Sequence, residues 1–137
     1  MTDGKSTKEA VSLKIYESAE DYLERILMLN KSMGQVRAVD IANLMNFSKP
    51  SVSIALKKLR QNGYVNIDGG GYITLTESGL EIAERVFERH RLISQLLMAL
   101  GVDEQTAKED ACRVEHDLSA ESFEAIKEYC RKNLQIQ

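Results

Sequence analysis

Tryptophan is absent from this chain of 137 residues, proline occurs once and cysteine occurs twice. Two cysteines in a chain of this length do not make the disulfide framework of a small secreted domain. No apolar run approaches the ~20 residues that a membrane-spanning helix needs. The polar segment from Met1 to Lys8 also lacks the apolar core of a signal peptide, so we expect a cytoplasmic protein. The scarcity of proline favours a mostly helical chain with few helix stops.

Charge is distributed unevenly along the chain. Hydrophobic residues make up 43% and charged residues 28%, which is typical of a globular protein, and the net charge is −3. Residues 37–76 hold five basic and two acidic side chains, whereas residues 77–128 hold six basic and thirteen acidic ones. Phosphate contacts are short-range and screened, so the local basic segment matters more for nucleic-acid binding than the overall charge.

Hydrophobic periodicity predicts a mainly α protein with two lobes, residues 1–76 and 77–137. Ser18, Ser48, Thr76 and Ser119 each precede an apolar-periodic run and are predicted helix caps. The predicted helices are 18–32, 36–45, 51–62, 76 to about 101, 103 to about 117, and one from 119. Two alternating runs, 64–67 and 72–75, flank a glycine-rich turn and predict a β-hairpin. Residues 1–15 show no pattern, and we expect a mobile arm there.

The first lobe has the order of a winged helix-turn-helix: a helix, a three-residue turn, a second helix and a glycine-tipped hairpin. Small polar side chains early in the second helix fit the major groove of DNA, and basic ones further along can meet phosphates. The predicted DNA-binding residues are Arg37, Ser48, Lys49, Ser51, Ser53, Lys57, Lys58, Arg60 and Gly70, with Ile54 also able to enter the groove. The alternative is a basic face that is only solvated and a hairpin that only covers the core.

A second group of residues has the donor atoms of a divalent-metal site. Its members are Asp21, Glu24, His90, Cys112, Glu115 and His116. The last three stand at i, i+3 and i+4 and would share one face of a helix. Each has a structural alternative when taken alone: a buried thiol, a satisfied histidine, a solvated glutamate, or an acid favoured by a helix N-terminus.

These motifs resemble those of the DtxR/MntR family of metal-dependent transcriptional repressors, from about Ser18 to Tyr129. The resemblance is carried by SAEDYLERI, DIANLMNFSKPSVS, LTESG, RH and CRVEHDLS, which begin at Ser18, Asp40, Leu75, Arg89 and Cys112. It implies a winged-helix DNA-binding lobe, a helical metal-binding and dimerisation lobe, and activation by Mn²⁺ or Fe²⁺, with Co²⁺ or Zn²⁺ as substitutes in vitro. Because the sequence ends at Gln137, we expect the short manganese-sensing form without an SH3-like domain.

The resemblance also implies which side chains hold the metal. Five donors fall on ligand positions of the manganese branch: Asp21, Glu24, His90, Glu115 and His116. Cys112 stands where that branch has Glu and the iron branch has Cys, whereas Asp21 stands where the iron branch has Met. A thiolate is softer than a carboxylate and favours Fe²⁺, Co²⁺ or Zn²⁺ over Mn²⁺. The missing Glu counts against a binuclear site, and Lys108 and Ser94 replace two ligands of the iron branch's ancillary site.

The expected mechanism is selection of a DNA-competent dimer by metal. An ion held by Asp21 and Glu24 of the first lobe and by the donors of the second would tie the lobes together. A homodimer would then read a palindromic operator of metal-uptake genes, with half-sites about 34 Å apart or a multiple of it. Surplus apolar residues predict the dimer contacts, which are Leu96, Leu97, Leu100, Phe123 and Ile126.

Three other functions fit parts of the pattern. A winged-helix regulator could sense an organic ligand and use the Cys112 cluster only for structure. A metal-dependent hydrolase could use Glu24 or Glu115 as a base, although no oxyanion donors or phosphate-binding loop accompany them in the sequence. A metal-buffering protein would have no need of the basic helix.

Overall fold

The computed structural model describes the backbone of residues 3–136 and the side chains of residues 18–136. Its helices and strands are α1 (Asp3–Met33), α2 (Ala38–Met45), α3 (Lys49–Gln61), β1 (Val65–Ile67), β2 (Ile73–Leu75), α4 (Glu77–Ala99), α5 (Glu104–Val114), α6 (Ala120–Tyr129) and a π-helical turn (Cys130–Leu134). The chain divides into two compact units, residues 1–84 and 85–137. The predicted fold class, mainly α with a small wing, is confirmed.

Local side-chain chemistry explains the turn between α2 and α3. Asn46 ends α2 in the left-handed region at φ 57°, a conformation that asparagine tolerates better than most residues. The Ser48 hydroxyl accepts a hydrogen bond from the backbone N–H of Ser51, at 3.3 Å, and so caps α3. Pro50 lies in the first turn of α3, where its missing N–H costs little. The predicted cap and the three-residue turn are both confirmed.

The hairpin is antiparallel, with Val65 opposite Leu75 and Ile67 opposite Ile73. One Asp68 carboxylate oxygen accepts hydrogen bonds from the backbone N–H groups of Gly70 and Tyr72, both at 2.9 Å, and this closes the tip. On the outer edge of β2, the Ile73 N–H donates to the carbonyl of Val36 at 2.7 Å. The wing is therefore fastened to the segment that precedes α2.

Gly79 marks a close approach between the first turn of α4 and the chain before β1. A Cβ atom at position 79 would lie 2.0 Å from the carbonyl oxygen of Tyr64. The Thr76 hydroxyl caps this turn by accepting from the Gly79 N–H at 3.1 Å, and it donates to the Gly63 carbonyl at 2.7 Å. Only glycine fits at position 79, so the start of α4 is fixed against the wing.

The core of the first unit is a set of aliphatic side chains from α1, α2, α3 and both strands. Its fully buried members are Leu23, Ile26, Val36, Ile41, Val52, Val65 and Ile73. Val52, Leu56 and Leu59 follow helical spacing along one face of α3 and are all buried, as predicted. This packing leaves the opposite face of α3 in solvent.

The second unit has its own caps and core. Asp103 accepts from the Thr106 N–H to cap α5, and Ser119 accepts from the Ser122 N–H to cap α6. Leu92, Phe123 and Cys130 form the buried cluster between α4, α6 and the π-helical turn. A surface ion pair, Lys127 with Glu88 at 2.9 Å, joins α6 to α4.

Two local predictions were wrong. The first helix begins at Asp3 rather than near Ser18, so Ser18 is not its cap. No proline interrupts residues 3–17, so a helix can extend through them. Of the predicted mobile arm, only Met1 and Thr2 lie outside the described residues. Helix α5 ends at Val114 instead of near residue 117, so Glu115 and His116 lie in the turn that follows it.

Candidate metal centre and nucleic-acid face

The exposed face of the first unit carries all of the side chains that were predicted to meet DNA. Each of the nine positions is exposed: Arg37, Ser48, Lys49, Ser51, Ser53, Lys57, Lys58, Arg60 and Gly70. Helix α3 holds four basic residues and no acidic one. The face therefore has the positive charge that phosphate contacts require.

Arg37 joins this face to the wing. Its guanidinium carbon lies 4.4 Å from the centroid of the Tyr72 ring, a cation–π contact that orients the side chain beside the hairpin. Its backbone N–H donates to the Asp40 carboxylate at 2.9 Å, which caps α2. Arg37 is thus held at both its backbone and its side chain.

Three of the predicted metal ligands meet in the second unit. The Nδ1 atom of His90, on α4, lies 3.0 Å from Glu115 Oε2 and 3.7 Å from Cys112 Sγ. One donor atom from each of the three residues lies within 4.8 Å of the others. A histidine nitrogen, a sulfur and a carboxylate oxygen at this spacing are a donor set suited to a divalent transition metal.

Glu115 is the group whose environment fits a bound cation best. Its side chain is fully buried, and its Oε1 atom receives no hydrogen bond from any described residue. The nearest cationic candidate, His116 Nε2, is 3.5 Å from that oxygen, and the His116 side chain is 4% exposed. A buried carboxylate oxygen without a hydrogen bond is costly unless a cation approaches it, so the residues present fit a metal ion.

The electrostatics of His90 agree with this arrangement. Hydrogen bonds to Cys112 and to Glu115 raise the pKa of His90 to about 10, against the opposing effect of burial. The Cys112 and Glu115 groups therefore favour positive charge at the position between them.

Of the other three predicted ligands, His116 lies beside Glu115 in the second unit, and two lie in the first unit. Asp21 and Glu24 stand one turn apart on α1, as their i, i+3 spacing predicted. Asp21 is half-buried, and the Glu24 carboxylate is fully buried. A fully buried glutamate is rare, so Glu24 is a candidate functional residue in its own right.

Arg89 is a candidate positioning residue to which sequence reasoning assigned no role. Its Nη1 atom donates to the backbone carbonyls of Glu115 at 2.9 Å and Leu118 at 2.7 Å, and its guanidinium lies 5.2 Å from the Phe123 ring centroid. The turn after α5 is therefore tied to the helix that carries His90. The RH motif contained this arginine, but a hydrogen bond to a backbone carbonyl leaves no pattern in the partner's sequence.

The predicted dimer residues differ in exposure. Leu100 is 71% exposed, and Leu96, Leu97 and Ile126 are partly buried. Phe123 is only 3% exposed because its ring packs with Leu92 and Cys130 inside the protomer. Phe123 therefore belongs to the protomer core and offers little surface to a second copy, whereas Leu100 remains a predicted contact.

Both parts of the chain match models of known protein families. Residues 14–71 match the family model for the iron dependent repressor N-terminal DNA binding domain, and residues 76–133 match that for the iron dependent repressor metal binding and dimerisation domain. The chain belongs to the iron-dependent repressor family. A DNA-binding domain followed by a metal-binding and dimerisation domain is thus the organisation of this family member, as the resemblance implied.

Relatives of this repressor-family chain are transcriptional regulators. It is 41% identical over 118 residues to an uncharacterized HTH-type transcriptional regulator of Methanocaldococcus jannaschii, a match covering 85% of this chain and 94% of that one. It is 32% identical to the transcriptional regulator MntR of Escherichia coli, over 85% of this chain and 76% of that one. Among solved structures it is similar to the manganese regulator SloR, with TM-score 0.74 and 31% identity over 82% of this chain. The chain spans about half of that protein, 53% of its length.

No helix among the described residues is both long and apolar enough to cross a membrane.

The Arg89 contacts predict an effect on metal affinity in this family member. Replacing Arg89 with Met is expected to lower Co²⁺ affinity by about tenfold, the lower end of what loss of a residue supporting a metal ligand costs. The change removes the two hydrogen bonds that hold the turn carrying Glu115. The absorption spectrum of bound Co²⁺ should therefore shift as well. Arg89→Lys, which keeps one donor, should recover part of the affinity.

Arg131→Met is the matched control, because it removes a guanidinium that pairs only with exposed Glu128 at the surface. Chelator competition and Co²⁺ absorption measure both effects, with thermal unfolding recorded in parallel. An Arg89→Met protein that melts earlier but binds Co²⁺ with unchanged affinity and spectrum would limit Arg89 to a structural role.

Proposed function

We propose that this protein is a metal-activated transcriptional repressor of metal-uptake genes, with Mn²⁺ or Fe²⁺ as the activating ion. The observation that carries this proposal is the His90, Cys112 and Glu115 cluster in a chain whose other unit exposes a basic recognition helix. The names of the relatives support it, since they include manganese regulators and a manganese-dependent repressor.

We propose that the metal is held by the six donor residues, Asp21, Glu24, His90, Cys112, Glu115 and His116. The bound ion supplies positive charge that these anionic groups lack in its absence, and no redox or hydrolytic chemistry is needed for that role. Glu115 contributes a buried oxygen that has no other hydrogen bond among the described residues. His90 contributes Nδ1, which lies 3.0 Å from the other Glu115 oxygen, Oε2, and Arg89 holds the Glu115 backbone in place.

We propose that DNA is bound by the nine exposed residues of the first unit, with α3 in the major groove and Gly70 at the tip of the wing. Small side chains at the start of α3, Ser51 and Ser53, leave room for base edges. Basic side chains one and two turns later, Lys57, Lys58 and Arg60, would meet phosphates. We also propose a cytoplasmic location, which a DNA partner supports.

The proposed active form is a homodimer that reads a palindromic operator. The contacts that we propose include Leu96, Leu97, Leu100 and Ile126, of which Leu100 is the most exposed. We keep 76/77 as the proposed functional boundary between the DNA-binding and the metal-binding and dimerisation domains. We propose no catalytic activity, since regulation requires only that metal and DNA favour the same conformation.

The test is binding of the full-length protein to fluorescent duplexes selected from a random-sequence library, under anaerobic conditions and at fixed salt. Anisotropy is measured with chelator and then with Mn²⁺, Fe²⁺, Co²⁺ or Zn²⁺. We expect sequence-selective binding only with metal, with at least about a hundredfold gain in affinity, which corresponds to about 3 kcal/mol of coupling. Equal binding in chelator and in every metal would refute metal activation and favour a regulator that senses an organic ligand.

A further inference from the structure

Ile54 stands out on the exposed face of α3. Its side chain is 60% exposed, the largest exposed fraction among the large hydrophobic residues of the first unit that the structure describes. It lies two positions from both Val52 and Leu56, and therefore about 160° around the helix from each of these buried residues. Ile54 points away from the core that holds α3 in place.

The neighbours of Ile54 are polar or basic. One turn before it on the same face lies Ser51, and one turn after it lie Lys57 and Lys58, all exposed. A groove of about 300 Å³ between α1 and α3 has Ile54 at its edge, yet most of the isoleucine side chain extends beyond it into solvent. A single exposed apolar residue is ordinary on a protein surface, but this one lies on a face that carries two lysines one turn later.

We propose that Ile54 reads DNA sequence by packing against the 5-methyl group of a thymine in the major groove. The inference rests on the DNA-binding function proposed above and adds the base that the helix recognises. Charge complementarity identifies the occupant: α3 has four basic residues and no acidic one, so a polyanion is the partner that its face attracts.

Chemistry restricts what Ile54 can recognise on such a partner. Isoleucine cannot form a side-chain hydrogen bond, and the methyl group of thymine is the apolar feature that the major-groove edges of the base pairs offer. Isoleucine is also β-branched and has a strongly preferred χ1 rotamer in a helix, so little side-chain entropy is lost on contact. The contact distinguishes thymine from cytosine and from uracil, which lacks the methyl group.

The experiment uses a duplex that the metal-bound protein has selected from the random-sequence library. It compares this duplex with versions in which deoxyuridine replaces thymidine, first everywhere and then at one position at a time. Base pairing is unchanged, and each replacement removes one methyl group. The wild-type protein, saturated with Mn²⁺, should lose about fourfold in affinity for a contacted thymine in one half-site and about fifteenfold for both, as expected for one buried methyl group each. The Ile54→Ala protein should bind the thymine and uracil duplexes equally at that position.

Val39→Ala is the matched control, because Val39 is another exposed, β-branched residue of the first unit but lies on α2. It should keep the wild-type sensitivity to uracil, and Ile54→Val should keep most of it. If the wild-type protein binds the all-uracil duplex as tightly as the thymine duplex, the inference is wrong while the proposed function stands. A uracil penalty that persists in Ile54→Ala also overturns it, and failure to select any duplex overturns both proposals.

Discussion

Replacing Glu115 with Gln is expected to lower the affinity for divalent metal by more than about a hundredfold and to abolish metal-activated DNA binding. Loss of a residue that only supports a metal ligand costs about 10–100-fold in affinity, so the loss of a charged ligand costs more. Glu115 is fully buried and places Oε2 3.0 Å from His90 Nδ1, with Oε1 receiving no hydrogen bond from a described residue. Gln keeps the shape but removes the charge and turns one oxygen into a donor.

Calorimetric titration with Mn²⁺ and anisotropy with the selected duplex measure the two effects. Glu109→Gln is the control, since Glu109 lies on α5 but is exposed, and it should bind metal and DNA as the wild type does. Thermal unfolding in chelator should show that the Glu115→Gln protein is folded, because its neutral amide relieves a buried charge. A folded Glu115→Gln protein with undiminished metal-dependent DNA binding would remove Glu115 from the ligand set.

The elements that the sequence predicted well are those with a local signal in a few neighbouring residues. Ser48 and Ser119 accept the hydrogen bonds expected of caps, and the alternating runs around Gly69–Gly71 form the hairpin. The start of α1 was missed because the apolar residues of the segment before Ser18 showed no clear helical period, and the helices were predicted from that period. The end of α5 was missed because Glu115 keeps helical dihedral angles beyond the last helical residue, and no glycine or proline marks the change.

The donor residues of the candidate metal site could be predicted from the sequence, but the residue that holds them in position could not. The sequence predicted six donor residues, and three of them, His90, Cys112 and Glu115, meet in the second unit. The role of Arg89 could not be predicted because it donates to the backbone carbonyl oxygens of Glu115 and Leu118, and every residue type has such a carbonyl. Phe123 was assigned to the dimer surface because hydrophobicity alone cannot separate a core ring from an interface ring, and only the packing with Leu92 and Cys130 decides it.

We expect Cys112 to influence which metal this family member prefers, and its replacement by Glu should change that preference. Its sulfur lies 3.7 Å from His90 Nδ1, within the group of donor atoms that Glu115 completes. A soft thiolate favours Zn²⁺, Co²⁺ and Fe²⁺, whereas a carboxylate suits Mn²⁺, the weakest binder among the common divalent first-row ions. Cys112→Glu should therefore lower the ratio of Zn²⁺ to Mn²⁺ affinity by about tenfold or more, equivalent to at least about 1.4 kcal/mol.

Competition titrations with Zn²⁺ and Mn²⁺ measure this ratio directly, and the sulfur-to-metal charge-transfer absorption of the Co²⁺ form reports whether a thiolate is bound. The Cys112→Glu protein should lack that absorption. Cys130→Ala is the matched control, since Cys130 is the other free thiol and is buried in the core of the second unit. It should keep both the absorption and the wild-type ratio, even if it melts earlier. If Cys112→Glu leaves the ratio unchanged, metal preference is set by the other donors, and the cysteine is only a packed side chain beside them.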